Sequence, residues 1–170
     1  DRVRHLPRIA VNSTYRLAPD ADVIYAADAA WWRLNPRALE SAGLKVSVEI
    51  VPRCPPAVPA AVNVIRNGGR KGMDNDPGKL RTLGNSGAQA IQVAAHAGAA
   101  RIILLGFDMH GGHWHEAHAK PLTNPREATF ARWIVDFREL ARALALRGID
   151  VINCTPESRL DCFPRASLDD

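Results

Sequence analysis

The feature that most constrains the fold is the alternation of short apolar runs with segments of helical periodicity. Residues 101–105 (RIILL) form a continuous apolar run of the kind that is buried on both faces of a parallel sheet. The apolar residues of 125–147 recur at helical spacing, and a further apolar run follows at 150–154. Because parallel strands are joined by crossovers that are usually helical, this order predicts an α/β fold with a mostly parallel sheet flanked by helices.

The rest of the chain continues this alternation. Asn124, Pro125 and Gly148 are placed to cap, begin and end the last helix. With 170 residues and no internal repeat, the chain is predicted to form one domain over residues 1–170. We expect strands at 8–11, 22–26, 45–51, 61–65, 101–105 and 150–154. We expect helices over 31–44, 86–96 and 125–147, of which the first is broken and has its main turn starting at Asn35-Pro36. The remaining segments are a stiff loop at 54–59, long polar loops at 66–85 and 106–124, and an irregular tail at 155–170.

Charge and cysteine content narrow the class of protein. The net charge is +4, Arg exceeds Lys, and no run of like charges occurs. This charge pattern fits an anionic small ligand such as a nucleotide and a nucleic-acid partner equally well. Cys54, Cys154 and Cys162 lack CxxC spacing, which is typical of reduced thiols in the cytoplasm. No apolar run approaches the roughly 20 residues of a membrane span and no secretory leader is recognisable, so we expect a cytoplasmic protein without a membrane partner and of open oligomeric state.

Small polar or acidic residues follow most of the predicted strands. Asn12, Asp28, Asp108 and Thr155 each come just after an apolar run, and the loop that follows residues 61–65 closes with Gly84-Asn85-Ser86-Gly87. In open α/β sheets, ligands bind beyond the carboxyl ends of the strands. The repetition of this pattern predicts a ligand pocket at that edge of the sheet.

The Gly84-Asn85-Ser86-Gly87 step allows two interpretations. Glycines let a ligand approach the backbone, and the first turn of a helix offers unpaired N–H groups to a phosphate. Alternatively, the step is a helix cap that satisfies the helix's own N–H groups. It matches neither the GxxxxGK[ST] nor the GxGxxG pattern, so neither an NTPase loop nor a dinucleotide fingerprint is indicated.

Histidines are unusually dense in the loop that begins at Asp108. They are His110, His113, His115 and His118, and Glu116 lies among them. One hypothesis is a divalent or transition-metal site with Asp108 or Glu116 as oxygen ligand. A second is a general base oriented by one of these carboxylates, and a third is a surface loop without chemistry.

Trp31 and Trp32 directly follow Asp28 and the second predicted strand. One of them is placed to stack on a base or sugar. Adjacent aromatics at the start of a helix more often pack in the core, and we favour that interpretation.

Four stretches of the chain carry a family resemblance: VNSTYRLAPDADVIYAADAAWW (11–32), GNSGAQAIQVAAHAGAARIILLGFDM (84–109), HWHEAH (113–118) and VINCTPESRLDCFPR (151–165). Together they resemble phage and prophage proteins of undefined function. More distantly the chain resembles the MptE-like 6-hydroxymethylpterin diphosphokinase family and a family of bacterial sialyltransferases that use CMP-sialic acid. The resemblance implies a Rossmann-like domain in the cytoplasm of a bacterial host.

The sialyltransferase resemblance also implies roles for particular residues. Asn12 matches a nucleotide-contacting Asn, Ser86 matches a donor-contacting Ser, and His115 or His118 matches the catalytic base. Asp28 stands where that family has an Asn. Both enzyme families begin with a strand that leads to a G-x-G-P-S loop, which this sequence does not contain, so the resemblance implies a sheet that lacks its first strand.

These observations lead to one principal hypothesis and two alternatives. The principal one is a transferase-like domain for glycosyl or diphosphate transfer that binds a nucleotide or nucleotide-sugar. The alternatives are a non-catalytic phage accessory protein that binds protein or nucleic acid, and a metal-dependent hydrolase that uses the His-rich loop. In the principal hypothesis the catalytic residues are His115, His118 and Asp108, and the ligand-binding residues are Asn12, Asp28, Gly84, Asn85, Ser86, Gly87 and Thr155.

Overall fold

The computed structural model describes residues 2–49, 58–112 and 114–169. Its larger sheet has the strand order β1-β2-β3-β4-β5, and β6 and β7 form a second sheet. Every pairing in both sheets is parallel. The strands are β1 (Ile9–Val11), β2 (Val23–Tyr25), β3 (Leu44–Val48), β4 (Asn63–Asn67), β5 (Lys79–Leu80), β6 (Arg101–Leu104) and β7 (Asp150–Asn153); the helices are α1 (Ala29–Leu34), α2 (Ser86–His96) and α3 (Glu127–Ala145). The predicted α/β class with a mostly parallel sheet and flanking helices is confirmed.

Helix α2 lies across both sheets. Ala88 and Ile91 belong to the apolar cluster of β6 and α3, whereas Ala90 and Val93 pack against the larger sheet. The amino end of α2 lies at the carboxyl ends of the strands in both sheets. Tyr25, the last residue of β2, donates its hydroxyl hydrogen to Gln89 Oε1 at 2.7 Å, and Gly87 contacts Phe107 in the segment that follows β6. The two sheets therefore run in the same direction beneath one helix.

Helix α3 covers the second sheet with the apolar stripe predicted from the sequence. Phe137, Leu140 and Leu144 are fully buried there. Leu160 and Phe163, from the predicted irregular tail, complete the same cluster. The tail also bridges to β7 through Arg165 and Asn153, so it is part of the core rather than a surface extension.

The prediction that Asn124 caps the last helix is wrong. Helix α3 begins at Glu127 with Arg126 as its N-cap residue, and the Thr129 hydroxyl accepts the Arg126 backbone N–H at 3.3 Å. Asn124 instead bonds to both backbone groups of His118, accepting the N–H at 2.8 Å and donating to the carbonyl at 3.3 Å. Local spacing favoured Asn124 as a cap, but a contact across the loop takes its carboxamide.

Other boundaries differ by a few residues. Pro36 ends the α-helical part of the predicted 31–44 helix, since proline has no N–H to donate, and a 3₁₀ segment, Pro36–Glu40, follows. The predicted strand at 61–65 is shifted to β4, and β5 occurs within a predicted loop. Most of the predicted stiff loop at 54–59, with Cys54, lies outside the described residues. None of the helices that the structure describes combines the length and apolarity needed to cross a bilayer.

Candidate functional site

Two adjoining cavities lie at the carboxyl ends of the strands and share Gly84. The strand-end cavity has a volume of about 260 Å³ and the α3 cavity a volume of about 620 Å³. The strand-end cavity is lined by Ala27, Asp28, Val48, Asn67, Thr82, Gly84, Asn85, Ser86 and Gln89. The α3 cavity is lined by Gly84, Thr123, Asn124, Pro125, Arg126, Thr129, Arg132 and Trp133.

The strand-end cavity results from the parallel sheet and the start of α2. Asp28 follows β2, Val48 ends β3 and Asn67 ends β4, so the carboxyl ends of three neighbouring strands meet at this cavity. Asn85 and Ser86 approach from the amino end of α2. The structure thus brings together Asp28 and the Gly84–Ser86 step, which are separated by more than 50 residues in the sequence.

Asp28 occupies an unusual electrostatic position. It precedes α1 as the N-cap residue, but its side chain makes no capping hydrogen bond. The residue is exposed at the surface, yet partial burial of its carboxyl raises the pKa of that group, while the charge of His118 opposes this rise. A neighbouring positive charge therefore stabilises the carboxylate form of Asp28.

His118 and His115 lie together on the loop after β6, and the charges of His118 and Asp28 influence each other. Their ring centroids are 5.0 Å apart. Burial lowers the pKa of His118, the charge of His115 lowers it further, and Asp28 raises it. At neutral pH His118 is therefore mostly uncharged, which is the state in which an imidazole accepts a proton.

The remaining loop contacts hold these rings in place. Asn124 fastens the backbone of His118, and the His115 Nδ1–H donates to the Glu116 carbonyl at 2.6 Å. This donation leaves the Nε2 atom of a neutral His115 as its basic nitrogen. His110 Nε2–H donates to the Glu157 carbonyl at 2.7 Å. His113 lies outside the described residues.

The start of α2 is capped by its own sequence. Asn85 Oδ1 accepts the Ala88 N–H at 3.0 Å, so Asn85, rather than Ser86, is the N-cap residue, and Ser86 lines the cavity from the first helical position. Gly84 has φ +65°, which favours glycine. A Cβ atom on Gly87 would lie 2.7 Å from Cε1 of Phe107, so close packing explains the glycine at that position.

Six predicted site residues lie outside the lining of both cavities: Asn12, Gly87, Asp108, His115, His118 and Thr155. Asn12 has φ +50° and begins a 3₁₀ segment at the end of β1. Thr155 is 4% exposed, and its hydroxyl accepts the Phe107 N–H at 2.9 Å. Asp108 is exposed, and its backbone carbonyl accepts the Arg159 N–H at 2.8 Å. In this structure Thr155 ties the loop after β6 to the loop after β7.

The core interpretation of the tryptophan pair is confirmed. Trp31 and Trp32 are 2% and 0% exposed, and the Trp32 indole N–H donates to the Ala26 carbonyl at 3.0 Å. Their rings pack edge to face at 5.1 Å between centroids.

Some residues at the site were not anticipated from the sequence. Thr82 and Asn67 line the strand-end cavity, and Arg126, Arg132 and Trp133 line the α3 cavity. The helical spacing of Arg126, Thr129 and Arg132 is the available signal, but the predicted helix over 125–147 places residue 126 in its first turn without indicating a cavity there. Among residues 2–49, 58–112 and 114–169, no three His, Cys, Asp or Glu side chains are arranged to hold a metal ion.

Comparisons with known proteins identify no relative of the chain: no protein-family model, no curated protein and no solved structure matches it.

Proposed function

We propose that this domain binds a nucleotide or nucleotide-sugar at the strand-end cavity and transfers a glycosyl or diphosphate group to an acceptor hydroxyl. The observation that carries the proposal is the strand-end cavity, which is lined by hydrogen-bonding groups and by Asp28, whose charge and that of His118 on the loop after β6 influence each other. A base next to a carboxylate is the arrangement needed to take a proton from a hydroxyl.

The proposed reaction is a displacement. His118 accepts the proton of the acceptor hydroxyl while that oxygen forms a bond to the transferred carbon or phosphorus. The bond to the leaving nucleotide phosphate breaks, and the phosphate departs with the electron pair. Asp28 then stabilises the imidazolium form of His118. His115 is the alternative base, because its ring lies against that of His118.

Ligand contacts follow from the lining of the cavity. The Ser86 hydroxyl and the Asn67 side-chain amide offer hydrogen bonds to a base or sugar, whereas Gln89 is 3% exposed and is engaged by the Tyr25 hydroxyl and the Thr82 carbonyl. Val11 pairs with Tyr25, so Asn12 lies across from Ala26 at the neighbouring strand end. The role of Asn12 that the resemblance implies therefore requires a ligand that extends from β2 towards β1.

The test is calorimetric titration of the protein with CMP, CDP, GDP and ATP. We expect one of them to bind, with affinity reduced about tenfold in Ser86→Ala because a hydrogen bond to a charged or polar ligand is lost. Asp150→Asn is the control, since Asp150 is an exposed carboxylate at the amino end of β7. His118→Gln should keep binding and lose turnover. Failure of all four nucleotides to bind would refute the proposal.

We further infer a Rossmann-like sheet that lacks one strand between β1 and β6. Among the residues that the structure describes, each of these two strands has a single hydrogen-bonded neighbour, and both pack under α2 in the same direction. A helix is about 10 Å wide and strands are about 4.8 Å apart, so a helix that touches both strands leaves room for roughly one more. Ile103 and Leu105 beside this space remain 37% and 45% exposed, as expected for a strand lacking a neighbour.

The nucleic-acid alternative receives less support from the charge distribution. Many arginines pair with carboxylates on different parts of the surface, including Arg66 with Asp76, Arg101 with Asp150 and Arg138 with Asp161. These pairs place carboxylates beside arginines on separate parts of the surface, whereas binding to a nucleic-acid backbone requires contiguous positive charge.

A further inference from the structure

We propose that the α3 cavity is an anion subsite that binds the diphosphate of the nucleotide ligand, with Arg126 and Arg132 as its cationic groups. The inference rests on the proposed function in one respect, namely that a single ligand spans both cavities. It adds the location of the phosphates, which the sequence pattern had suggested at the Gly84–Gly87 step.

The first argument is uncompensated charge. Arg126 and Arg132 both line the α3 cavity, and within the described part of the chain neither forms an ion pair with a carboxylate. The neighbouring acidic residues are paired elsewhere: Glu127 with Arg159, and Asp136 with Arg70 at 3.8 Å. Two guanidinium groups at one cavity of about 620 Å³ attract an anion and provide planar donors suited to phosphate oxygens.

The second argument is the arrangement of donors around these arginines. Arg126, Thr129 and Arg132 recur at three-residue intervals, so they share one side of the first turns of α3. The Thr129 hydroxyl accepts the Arg126 N–H, which leaves its own proton to donate to a ligand. The helix start contributes positive potential at the same place.

The third argument is an unsatisfied donor at the junction of the two cavities. The Trp133 indole N–H is buried and has no acceptor among the described residues. This nitrogen lies 3.6 Å from the position that a Cβ atom on Gly84 would occupy, and Gly84 lines both cavities. Buried donors are normally paired, so a ligand oxygen at this junction would complete the environment of Trp133.

The fourth argument is the difference in charge between the two cavities. Asp28 places a carboxyl group in the strand-end cavity, and Asn85 already caps α2 there. A phosphate beside Asp28 would be repelled, whereas the described residues that line the α3 cavity have neutral or cationic side chains. We therefore assign the uncharged base or sugar to the strand-end cavity and the diphosphate to the α3 cavity.

The experiment is a titration of the protein with inorganic pyrophosphate at low, constant ionic strength. Arg126→Gln and Arg132→Gln should each weaken binding about tenfold, because each removes a charge-assisted hydrogen bond. Arg142→Gln is the matched control: it makes the same charge change at an exposed position near the other end of α3. An equal loss in Arg142→Gln, or no saturable binding, would overturn the assignment. Thermal melts identify any variant that fails to fold. If one of the two arginine variants fails to fold, the other still tests the assignment.

A second titration separates this inference from the proposed function. Uncharged nucleosides (cytidine, guanosine and adenosine) should bind the Arg126→Gln and Arg132→Gln variants as they bind the original protein. Nucleoside binding without pyrophosphate binding would refute the anion subsite and leave the proposed function standing. Pyrophosphate binding without binding of any nucleoside or nucleotide would support the subsite and refute the nucleotide function. Stronger binding of a single-stranded DNA oligomer than of pyrophosphate, lost in the same variants, would overturn the assignment to a small ligand.

Discussion

At the scale of single residues, Gly87 shows how packing and function compete to explain one position. A glycine at the start of a helix invites a phosphate-binding interpretation, yet its environment is filled by the Phe107 ring and the Asn85 side chain. Phe107 in turn packs edge to face on Phe137 at 6.0 Å between centroids, which limits how far the ring can retreat. The absent side chain at Gly87 is therefore a requirement of the fold.

Gly87→Ala should lower the free energy of unfolding by about 1–3 kcal/mol, because the added methyl group overpacks this contact. Urea denaturation measures the effect. Gly112→Ala is the matched control, since a Cβ atom there meets no heavy atom within 4 Å. Equal stability of both variants would show that the Phe107 contact is not restrictive.

His118 gives a prediction for pH dependence. The folded state lowers the pKa of His118, mainly by burial, so the unfolded chain binds more protons than the folded one as pH falls through the ordinary histidine pKa of 6.5. The free energy of unfolding should therefore fall from about pH 7 to pH 5, and His118→Gln should flatten this fall. Urea denaturation at several pH values measures it, with His5→Gln, at an exposed position, as the control. A steeper fall in His118→Gln would contradict the sign.

At the scale of elements, the two edges of β6 differ, because β7 is its one hydrogen-bonded neighbour among the described residues. Carbonyl groups of Ala100 and Leu104 accept N–H groups of Asp150 and Cys154, at 3.0 and 2.9 Å. Alternate residues of a strand direct their amide groups to opposite sides, so Ile103 directs its N–H away from β7. Nothing in the sequence of β6 distinguishes the two edges.

The Ile103 amide should exchange with solvent at least about tenfold faster than the Ile102 amide, because only the latter faces β7. Amide hydrogen exchange followed by NMR measures both. Equal protection would mean that the edge is covered and would contradict the open edge described above. In any assembly that supplies the inferred extra strand, Ile103 should become as protected as Ile102; exposure of Ile103 in every state would refute the Rossmann-like inference.

At the scale of the whole molecule, α2 joins two clusters that are otherwise separate. Ile91 packs in the cluster of β6 and α3, while Val93 packs against the larger sheet. The buried Tyr25–Gln89 hydrogen bond strengthens the second of these connections. Because one rigid helix belongs to both clusters, loss of either contact should loosen the whole fold.

Ile91→Ala should destabilise the protein by about 2–5 kcal/mol, since it leaves a cavity at a site that is 2% exposed. If the fold is one cooperative unit, the slowest amide exchange of Ile24 in β2 and of Leu140 in α3 should accelerate by the same factor. Acceleration at Leu140 alone would show that the two sheets unfold independently. The exposed Leu146→Ala is the control.

Much of the architecture and part of the site are determined by local sequence. The periodicity of 101–105, 125–147 and 150–154 indicates βαβ units, and parallel strands must end at a common edge, which explains why Asp28 and Ser86 meet there. Only the tertiary structure decided the roles of Asn124, Thr155 and the arginine pair. Thr155 bonds to a residue 48 positions away, and Asn124 is drawn from the helix to His118. Arg126 and Arg132 become a site only because α3 brings them next to Gly84. Periodicity records which face of an element is apolar, whereas these contacts depend on how distant elements are positioned against one another.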